Sequence, residues 1–241
     1  MVRYLALTAG ELYGHPKTEE KIAYMACHFS PYTTGLSNLP ETLPPDSMLI
    51  LNDRIPISGH DPQRIADQLQ QTLEQLSCDS LLLDFQRPDK AETAGLCRLL
   101  AQQLPCPLGV SHHYAQDLEC SVFLPPPPLD MTLEAHLKPW AGRSIWLEAA
   151  LEAAKYTVSG ERCHICPLPY AQPEQESFVD DALHCRYRCE IGDAAISFFL
   201  YRTADQLNAL LEQADALGIE KAIGLYQQLG IAKAEWESHS A

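Results

Sequence analysis

Short apolar runs alternate along the chain with longer segments whose apolar residues recur at helical spacing. Runs that are apolar at nearly every position are typical of strands buried on both faces. They occur at residues 4–9, 22–29, 48–51, 80–85, 107–111, 121–124, 144–148 and 222–226. This alternation predicts an α/β fold of the (β/α)8 type, a TIM barrel in which helices surround a parallel sheet.

Two of the intervening segments carry clear helix signals. Residues 63–76 follow Asp61, which suits an N-cap, and Pro62, which suits the first helical turn. Residues 90–103 repeat the same apolar spacing. The interval between the fifth and sixth apolar runs is too short for a full helix, so we expect an irregular connection there.

The stretch at about 152–197 departs from this alternation. Polar and apolar residues alternate with period two at residues 184–190, and Gly192-Asp193 then precedes another apolar run. This pattern predicts a hairpin within a small antiparallel β-rich insertion. We expect a flexible loop at 167–176.

The chain returns to the barrel pattern after this insertion. A helix is predicted from Thr203, a suitable N-cap, to Leu217, with Gly218 at its C-cap. We therefore expect one (β/α)-barrel domain at residues 1–232 and a polar, fraying tail at 233–241.

Composition narrows the class of protein. The 241 residues carry a formal net charge of −15, which repels phosphate backbones and argues against a nucleic-acid partner. The nine cysteines are scattered and odd in number, which favours a reduced, intracellular chain. The N-terminus lacks the apolar core of a signal peptide, and no apolar stretch reaches about 18 residues. We therefore expect a cytoplasmic protein without a membrane partner, and the oligomeric state stays open.

Functional groups of a (β/α)-barrel lie at the carboxyl ends of its strands. That rule selects a set of polar candidates, namely Glu11, His28, Asn52, Asp53, Asp84, Gln86, His112, His113, Tyr114, Glu148, Arg202, Tyr226 and Gln227. Each of them could instead cap a helix or face solvent. Asp84 is the strongest candidate because it interrupts an apolar run before the strand ends.

The segment around Asp84 resembles the signature of the family 18 glycoside hydrolases, D-G-x-D-x-D-W-E followed by Y-P. Asp79 matches the first aspartate, Leu82 the second, Asp84 the third, and Phe85 the aromatic residue. Gln86 stands where the signature has glutamate, and Pro88 matches its proline. The segment 198–230 is also similar to the end of those barrels, with Gly224-Leu225-Tyr226 as the counterpart of the last strand.

This resemblance implies a substrate-assisted mechanism. In the family, the glutamate protonates the leaving oxygen, and the third aspartate orients the N-acetyl group that attacks the anomeric carbon. An amide has no proton of suitable acidity, so Gln86 matches the shape of the acid but not its chemistry. Leu82 also removes a carboxylate beside Asp84. The resemblance therefore implies a chitinase-like barrel that binds a carbohydrate or another small ligand at its mouth without standard hydrolysis.

Two alternatives stay open. Glu148 could act as a replacement acid with Asp84, although its sequence context favours a helix starting at Leu147. The chain could also be a non-enzymatic interaction protein on a barrel scaffold.

The residues expected to contact a ligand are Asp53, Phe85, Tyr114, Trp146, Tyr226 and Gln227. Several of them are aromatic, and aromatic rings can stack on the apolar faces of sugar rings.

No cofactor or metal is expected. The sequence contains no glycine-rich phosphate loop and no G-x-S-x-G nucleophile motif. Cys163 and Cys166 have C-x-x-C spacing, while Cys185 and Cys189 are one residue further apart. Two such mismatched pairs are weak evidence for zinc, so metal binding by these four cysteines stays an open question.

Overall fold

The computed structural model describes residues 1–14, 20–87, 90–170 and 177–229. In chain order the strands are β1 (Val2–Leu7), β2 (Lys21–Phe29), β3 (Leu36–Ser37), β4 (Met48–Asn52), β5 (Ser80–Asp84), β6 (Leu108–Ser111), β7 (Ser121–Leu124), β8 (Ile145–Ala149), β9 (Ala153–Ser159), β10 (Arg162–Leu168), β11 (Phe178–Asp180), β12 (Cys185–Ile191), β13 (Ile196–Tyr201) and β14 (Lys221–Leu225). The helices are α1 (Ala9–Gly14), α2 (Pro62–Leu76), α3 (Ala91–Gln103), α4 (Leu133–Leu137) and α5 (Ala204–Ala216).

Eight parallel strands close into a barrel. Their order is β1-β14-β8-β7-β6-β5-β4-β2, and β2 pairs with β1 to complete the circle. The short strand β3 adds to β2 in the antiparallel direction. The predicted barrel is therefore confirmed, as is the connection without a helix between β6 and β7.

The chain divides into two compact units. The first contains Met1–Leu124, Gly142–Glu148 and Ile219–Gly224 and holds the barrel, apart from the last residues of β8 and β14. The second contains Pro125–Ala141, Ala149–Gly218 and Leu225–Ala241. Whether the chain behaves as a single domain stays a prediction.

Alternate residues of the barrel strands fill the barrel interior. The buried cluster consists of Tyr4, Ala6, Ala23, Met48, Ile50, Leu82, Phe123, Trp146 and Ile223, with Met25 packed against it. Gly109 on β6 leaves room for the indole of Trp146, because a Cβ at this glycine would lie 2.2 Å from Trp146 Cε3. A glycine inside a strand often marks such a close approach.

A charged cluster closes the amino-terminal end of the barrel around Asp79, which directly precedes β5. Its carboxylate accepts hydrogen bonds from Tyr4 Oη at 2.9 Å and Lys21 Nζ at 2.7 Å, and Lys221 Nζ lies 3.8 Å away. Burial alone would raise the pKa of Asp79, but the hydrogen bonds from Lys21, Ser80 and Tyr4 hold it below its ordinary value. Asp79 is therefore a structural residue at the opposite end from the barrel mouth.

Both predicted outer helices are confirmed. Asp61 caps α2, since its side chain accepts a hydrogen bond from Gln63 N at 3.0 Å, and Pro62 occupies the first turn. The apolar side of α2 is buried, and α3 begins at Ala91 after Lys90. Pro88 lies outside the described residues.

The second unit contains the predicted β-rich insertion as a five-stranded antiparallel sheet of order β10-β9-β13-β12-β11. The predicted hairpin is present as β12 and β13, so the sheet extends to Tyr201 rather than ending near residue 197. The prediction of a loop at 167–176 is wrong at its start, because Pro167 and Leu168 belong to β10. Residues 171–176 and the predicted tail at 233–241 lie outside the described residues.

The last predicted helix is also present in the second unit. Helix α5 starts after Thr203 and ends before Gly218, whose φ of 83° is the left-handed conformation expected after a helix C-terminus. The side chain of Thr203 makes no capping bond to the main chain and contacts Gln206 instead.

The cysteines of the insertion do not converge on one point. Cys163 and Cys166 lie on β10, whereas Cys185 and Cys189 lie on β12, and strands β9 and β13 separate these two strands. Three strand spacings amount to about 14 Å, which is too far for one zinc ion to bridge. Among the described residues, no group of three or more histidine, cysteine, aspartate or glutamate side chains could hold a metal.

Candidate functional site

The candidate site lies at the carboxyl ends of three neighbouring barrel strands. His28 on β2 is paired with Asn52 on β4, and Asn52 is paired with Asp84 on β5, so these residues form one row across the barrel mouth. The Asn52 side chain donates to the carbonyls of Met25 (2.9 Å) and Cys27 (3.0 Å), where the β2–β4 register shifts. The Asn52 side chain thereby replaces the main-chain hydrogen bonds that are lost where the register between β2 and β4 shifts. These bonds hold the ends of the two strands in position.

Asp84 and Gln86 lie side by side, as the sequence predicts. Gln86 Nε2 donates a hydrogen bond to Asp84 Oδ1. Asp84 is half-buried, while Gln86 is exposed. In the described part of the chain, Asp84 Oδ2 accepts no hydrogen bond, so this oxygen can receive a donor from a ligand.

The environment of Asp84 raises the pKa of its carboxyl above the ordinary value. Burial raises the pKa of the Asp84 carboxyl, the hydrogen bond from Gln86 lowers it, and the charge of Asp53 raises it again, with a net shift upwards. Two carboxylates that share a site in this way are a common feature of functional pockets.

Asp53 holds the loop that presents Gln86. Its carboxylate accepts hydrogen bonds from the main-chain N–H of Gln86 at 3.2 Å and of Arg87 at 2.9 Å. Asp53 is only 9% exposed, so its carboxylate is committed to the loop. The sequence predicts that Asp53 contacts a ligand, whereas these bonds make it a positioning residue for Gln86.

Phe85 points away from the mouth and is fully buried. Its ring centre lies 6.0 Å from that of Phe29 and 6.3 Å from that of Tyr114. Its main-chain N–H donates to Ser111 Oγ at 2.9 Å, and Ser111 donates to Leu83 O at 3.1 Å. Phe85 therefore anchors the end of β5, and in this structure it presents no face to a ligand.

Ser111 is a residue of the site that no sequence motif indicated. It is the last residue of β6 and is buried. Its position at a strand end was the only feature of the sequence that pointed to a role in the site. A single serine in an apolar run does not show which neighbouring strand its hydroxyl contacts.

Tyr114 tethers the segment that follows β5. Its hydroxyl donates to the carbonyl of Arg87 and accepts from Lys90 N at 3.3 Å. Arg87 Nη2 also donates to Arg54 O at 3.0 Å. Tyr114 is half-buried, and its ring makes an edge contact with the ring of Phe85.

Glu148 is in a strand, which decides against a helix beginning at Leu147. It is the fourth residue of β8 and half-buried, two positions after the interior residue Trp146. Because side chains alternate along a strand, Glu148 shares the inward side with Trp146 and lies at the carboxyl end. Trp146 itself is fully buried, with Lys221 Nζ 4.4 Å from its ring centre, so it offers no stacking surface.

Other predicted candidates at the strand ends have local partners. Glu11 accepts a hydrogen bond from Thr8 N at 2.8 Å. His28 Nδ1 lies 2.7 Å from Phe29 O. The rings of His112 and His113 stand 3.8 Å apart, and His113 is exposed.

Three candidates lie in the second unit. Arg202 is fully buried and bonded to Glu152 Oε2 at 2.7 Å, which makes it a structural residue rather than a site residue. Tyr226 and Gln227 follow β14 in the chain, and they are half-buried and exposed respectively. Their expected role in ligand binding stays a prediction.

The sequence matches no known family model and no curated protein. The fold is a (β/α)8 barrel with an antiparallel insertion after the seventh barrel strand, and solved structures of family 18 chitinases are similar to it over nearly the whole chain.

Three solved structures illustrate this likeness. The spore cortex-lytic enzyme SleL from Bacillus cereus has a TM-score of 0.58 at 11% identity, over 95% of this chain and 71% of that one. A class V chitinase from Nicotiana tobaccum has a TM-score of 0.59 at 11% identity, over 92% and 93%. A mutant family 18 chitinase from Cycas revoluta, in complex with (GlcNAc)4, has a TM-score of 0.59 at 10% identity, over 98% and 100%. At these identities the likeness shows the fold alone.

Proposed function

We propose that the barrel mouth binds an oligosaccharide of N-acetylated amino sugars and does not hydrolyse it by the family 18 route. The observation that carries the proposal is the hydrogen bond from Gln86 Nε2 to Asp84 Oδ1 at the carboxyl end of β5. By resemblance, an acid would stand at Gln86, and an amide there keeps the hydrogen-bonding shape but has no proton to transfer.

The site has the groups that such a ligand needs. Asp84 Oδ2 can accept the N–H of an acetamido group, and the exposed Gln86 amide adds a donor and an acceptor. Tyr114, a half-buried residue whose hydroxyl donates to the Arg87 carbonyl, is an aromatic residue beside this loop. The ligand seen with the Cycas revoluta protein supports this ligand class by analogy of fold.

Binding tests this proposal directly. We expect (GlcNAc)4 to bind in isothermal titration calorimetry without release of reducing ends. In Asp84→Asn the affinity should fall about tenfold or more, since asparagine has a single acceptor oxygen and no charge.

Asp67→Asn is the matched control for this measurement. Asp67 is exposed on helix α2, where it accepts a hydrogen bond from Gln63 Nε2 at 2.8 Å, so its replacement should leave the affinity unchanged. Absence of binding by the wild type, or equal affinity in Asp84→Asn, would contradict the proposal.

Glu148 supports a second candidate function, that of an active glycosidase with a relocated acid. Its place at the inward carboxyl end of β8 is the observation that favours it. If the wild type hydrolyses (GlcNAc)4, we expect Glu148→Gln to lower the rate about 10²–10⁴-fold, the usual contribution of a general acid. The control is Glu119→Gln in the connection between β6 and β7, where Glu119 is exposed. Equal rates in both variants would exclude Glu148 as the acid.

A cytoplasmic location of the protein stays a prediction.

A further inference from the structure

Strand β10 forms one edge of the five-stranded sheet, and all seven of its residues are exposed. It pairs with β9 from Arg162 to Leu168 in one continuous register without a bulge. In the described part of the chain, no other strand pairs with its outer side. An edge of this length without a bulge offers unpaired main-chain groups to another strand.

The outward groups of β10 can be assigned to particular residues. A two-residue turn, Gly160-Glu161, joins β9 to β10, and Gly160 has the positive φ (58°) that such tight hairpin turns require. In an antiparallel ladder, alternate residues direct both their N–H and their C=O away from the partner. Counting from the turn, these residues are Cys163, Ile165 and Pro167.

Pro167 supports this assignment. Proline occurs in edge strands where its missing N–H would face solvent. Its place in β10, two residues after Ile165, fits that rule.

The edge also lacks most of the features that prevent strands from associating. Native edges are commonly protected by lysines, prolines, bulges or very short strands, and of these features β10 has one, Pro167 near its end. The opposite edge of the sheet, β11, has only three residues. By contrast, β10 has seven residues and a single full charge, that of Arg162.

We propose that β10 pairs antiparallel with β10 of a second copy of this chain, about a two-fold axis at His164. In this register, Cys163 lies opposite Ile165 of the second copy, so the outward N–H and C=O of both residues find partners. Arg162 lies opposite Cys166 of the second copy, so no like charges face each other despite the net charge of −15. The two five-stranded sheets then form one continuous sheet.

The side chains agree with this pairing. Cys163, Val158, Ile196 and Ile191 form one cross-strand row, and therefore lie on the same face as Ile165. Ile165 is 51% exposed on this face, whereas Ile191 lies three strands away from β10 and does not reach the second copy. Two-fold pairing about His164 keeps this apolar face on the same side in both copies, so the two rows become neighbours.

Analytical ultracentrifugation in a reducing buffer, from low to high micromolar protein, tests the proposal. The reductant prevents cross-linking through the exposed thiols of Cys163, Cys166 and Cys189. We expect a concentration-dependent dimer for the wild type. Ile165→Pro removes an outward N–H and leaves the ladder to β9 intact, so it should raise the dimer dissociation constant about tenfold or more.

Ile191→Lys is the matched control, because Ile191 lies on β12, away from the edge. Under edge pairing this variant remains dimeric. A wild type that stays monomeric, an Ile165→Pro variant that dimerises normally with an unchanged circular dichroism spectrum, or a dimer lost in Ile191→Lys alone would overturn the proposal. The last result would indicate packing between sheet faces instead.

Discussion

Replacing Gln86 with glutamate is expected to give measurable hydrolysis of N-acetylglucosamine oligomers, about 10²–10⁴-fold above the background seen with the wild type. The new carboxyl would stand beside Asp84, where Gln86 now donates its hydrogen bond. Two adjacent carboxyls do not ionise independently, so one of them retains its proton at a pH where an isolated carboxyl has lost it. This proton can be donated to the leaving oxygen, whereas the side-chain amide of Gln86 has no such proton to give.

Release of reducing ends from (GlcNAc)4 measures this gain. The control is the double variant Gln86→Glu with Asp84→Asn, which keeps the new acid and removes the carboxylate expected to orient the N-acetyl group. It should lose the gain. If Gln86→Glu alone shows no activity while (GlcNAc)4 still binds, the apolar residue Leu82, fully packed in the barrel interior, would be the next obstacle to test.

Replacing Arg202 with methionine is expected to lower the free energy of unfolding by about 3–5 kcal/mol, the usual cost of removing one partner of a buried ion pair. The Arg202 side chain is fully buried and donates to Glu152 Oε2 (2.7 Å) and Pro127 O (3.1 Å). Burial raises the pKa of Glu152 and outweighs the lowering effect of Arg202, so the net shift is upwards. Without the guanidinium, the Glu152 carboxylate and the Pro127 carbonyl would lose their donor.

Urea unfolding followed by circular dichroism checks this loss of stability. Arg188→Met is the matched control, because Arg188 lies on β12, pairs with the exposed Glu190 and places its guanidinium over the Phe199 ring. An exposed pair of this kind contributes about 1 kcal/mol or less. If the two variants lose equal amounts of unfolding free energy, burial of Arg202 does not increase what its ion pair contributes to stability.

The barrel could be predicted from sequence because its strands are buried on both faces. Strand β5 illustrates this, since Ser80 to Leu83 are all buried and Asp84 is its first residue with appreciable exposure. The same pattern predicted that Asp84 and Gln86 lie next to each other at a strand end. The hairpin of β12 and β13 was predictable because Gly192-Asp193 separates two strand-like segments.

Whether the aromatic residues of the predicted site are exposed to a ligand or buried could not be predicted from the sequence. Trp146 follows a strand pattern near a strand end, which is equally compatible with a sugar platform and with a core residue. Its burial depends on Gly109, which lies in a different strand and supplies the space. No local pattern in either strand records that contact.

Arg202 was beyond prediction for a similar reason. It follows an apolar strand, as site residues of a barrel do, but that strand belongs to the insertion. The groups that receive its hydrogen bonds come from Pro127, Glu152 and His184, which lie far apart in the chain. Distant segments of this kind assemble only when the chain folds.

Asp79 and Asp84 mark the two ends of one strand, and this separation has consequences for how the chain can change during evolution. Asp79 is held by Tyr4 and Lys21 at one rim, whereas Asp84 contacts Gln86 at the other. Substitutions at the first rim can therefore change the stability of the barrel, while substitutions at the second rim change which ligand the barrel mouth binds. A substitution at the second rim therefore leaves the contacts that hold the first rim in place.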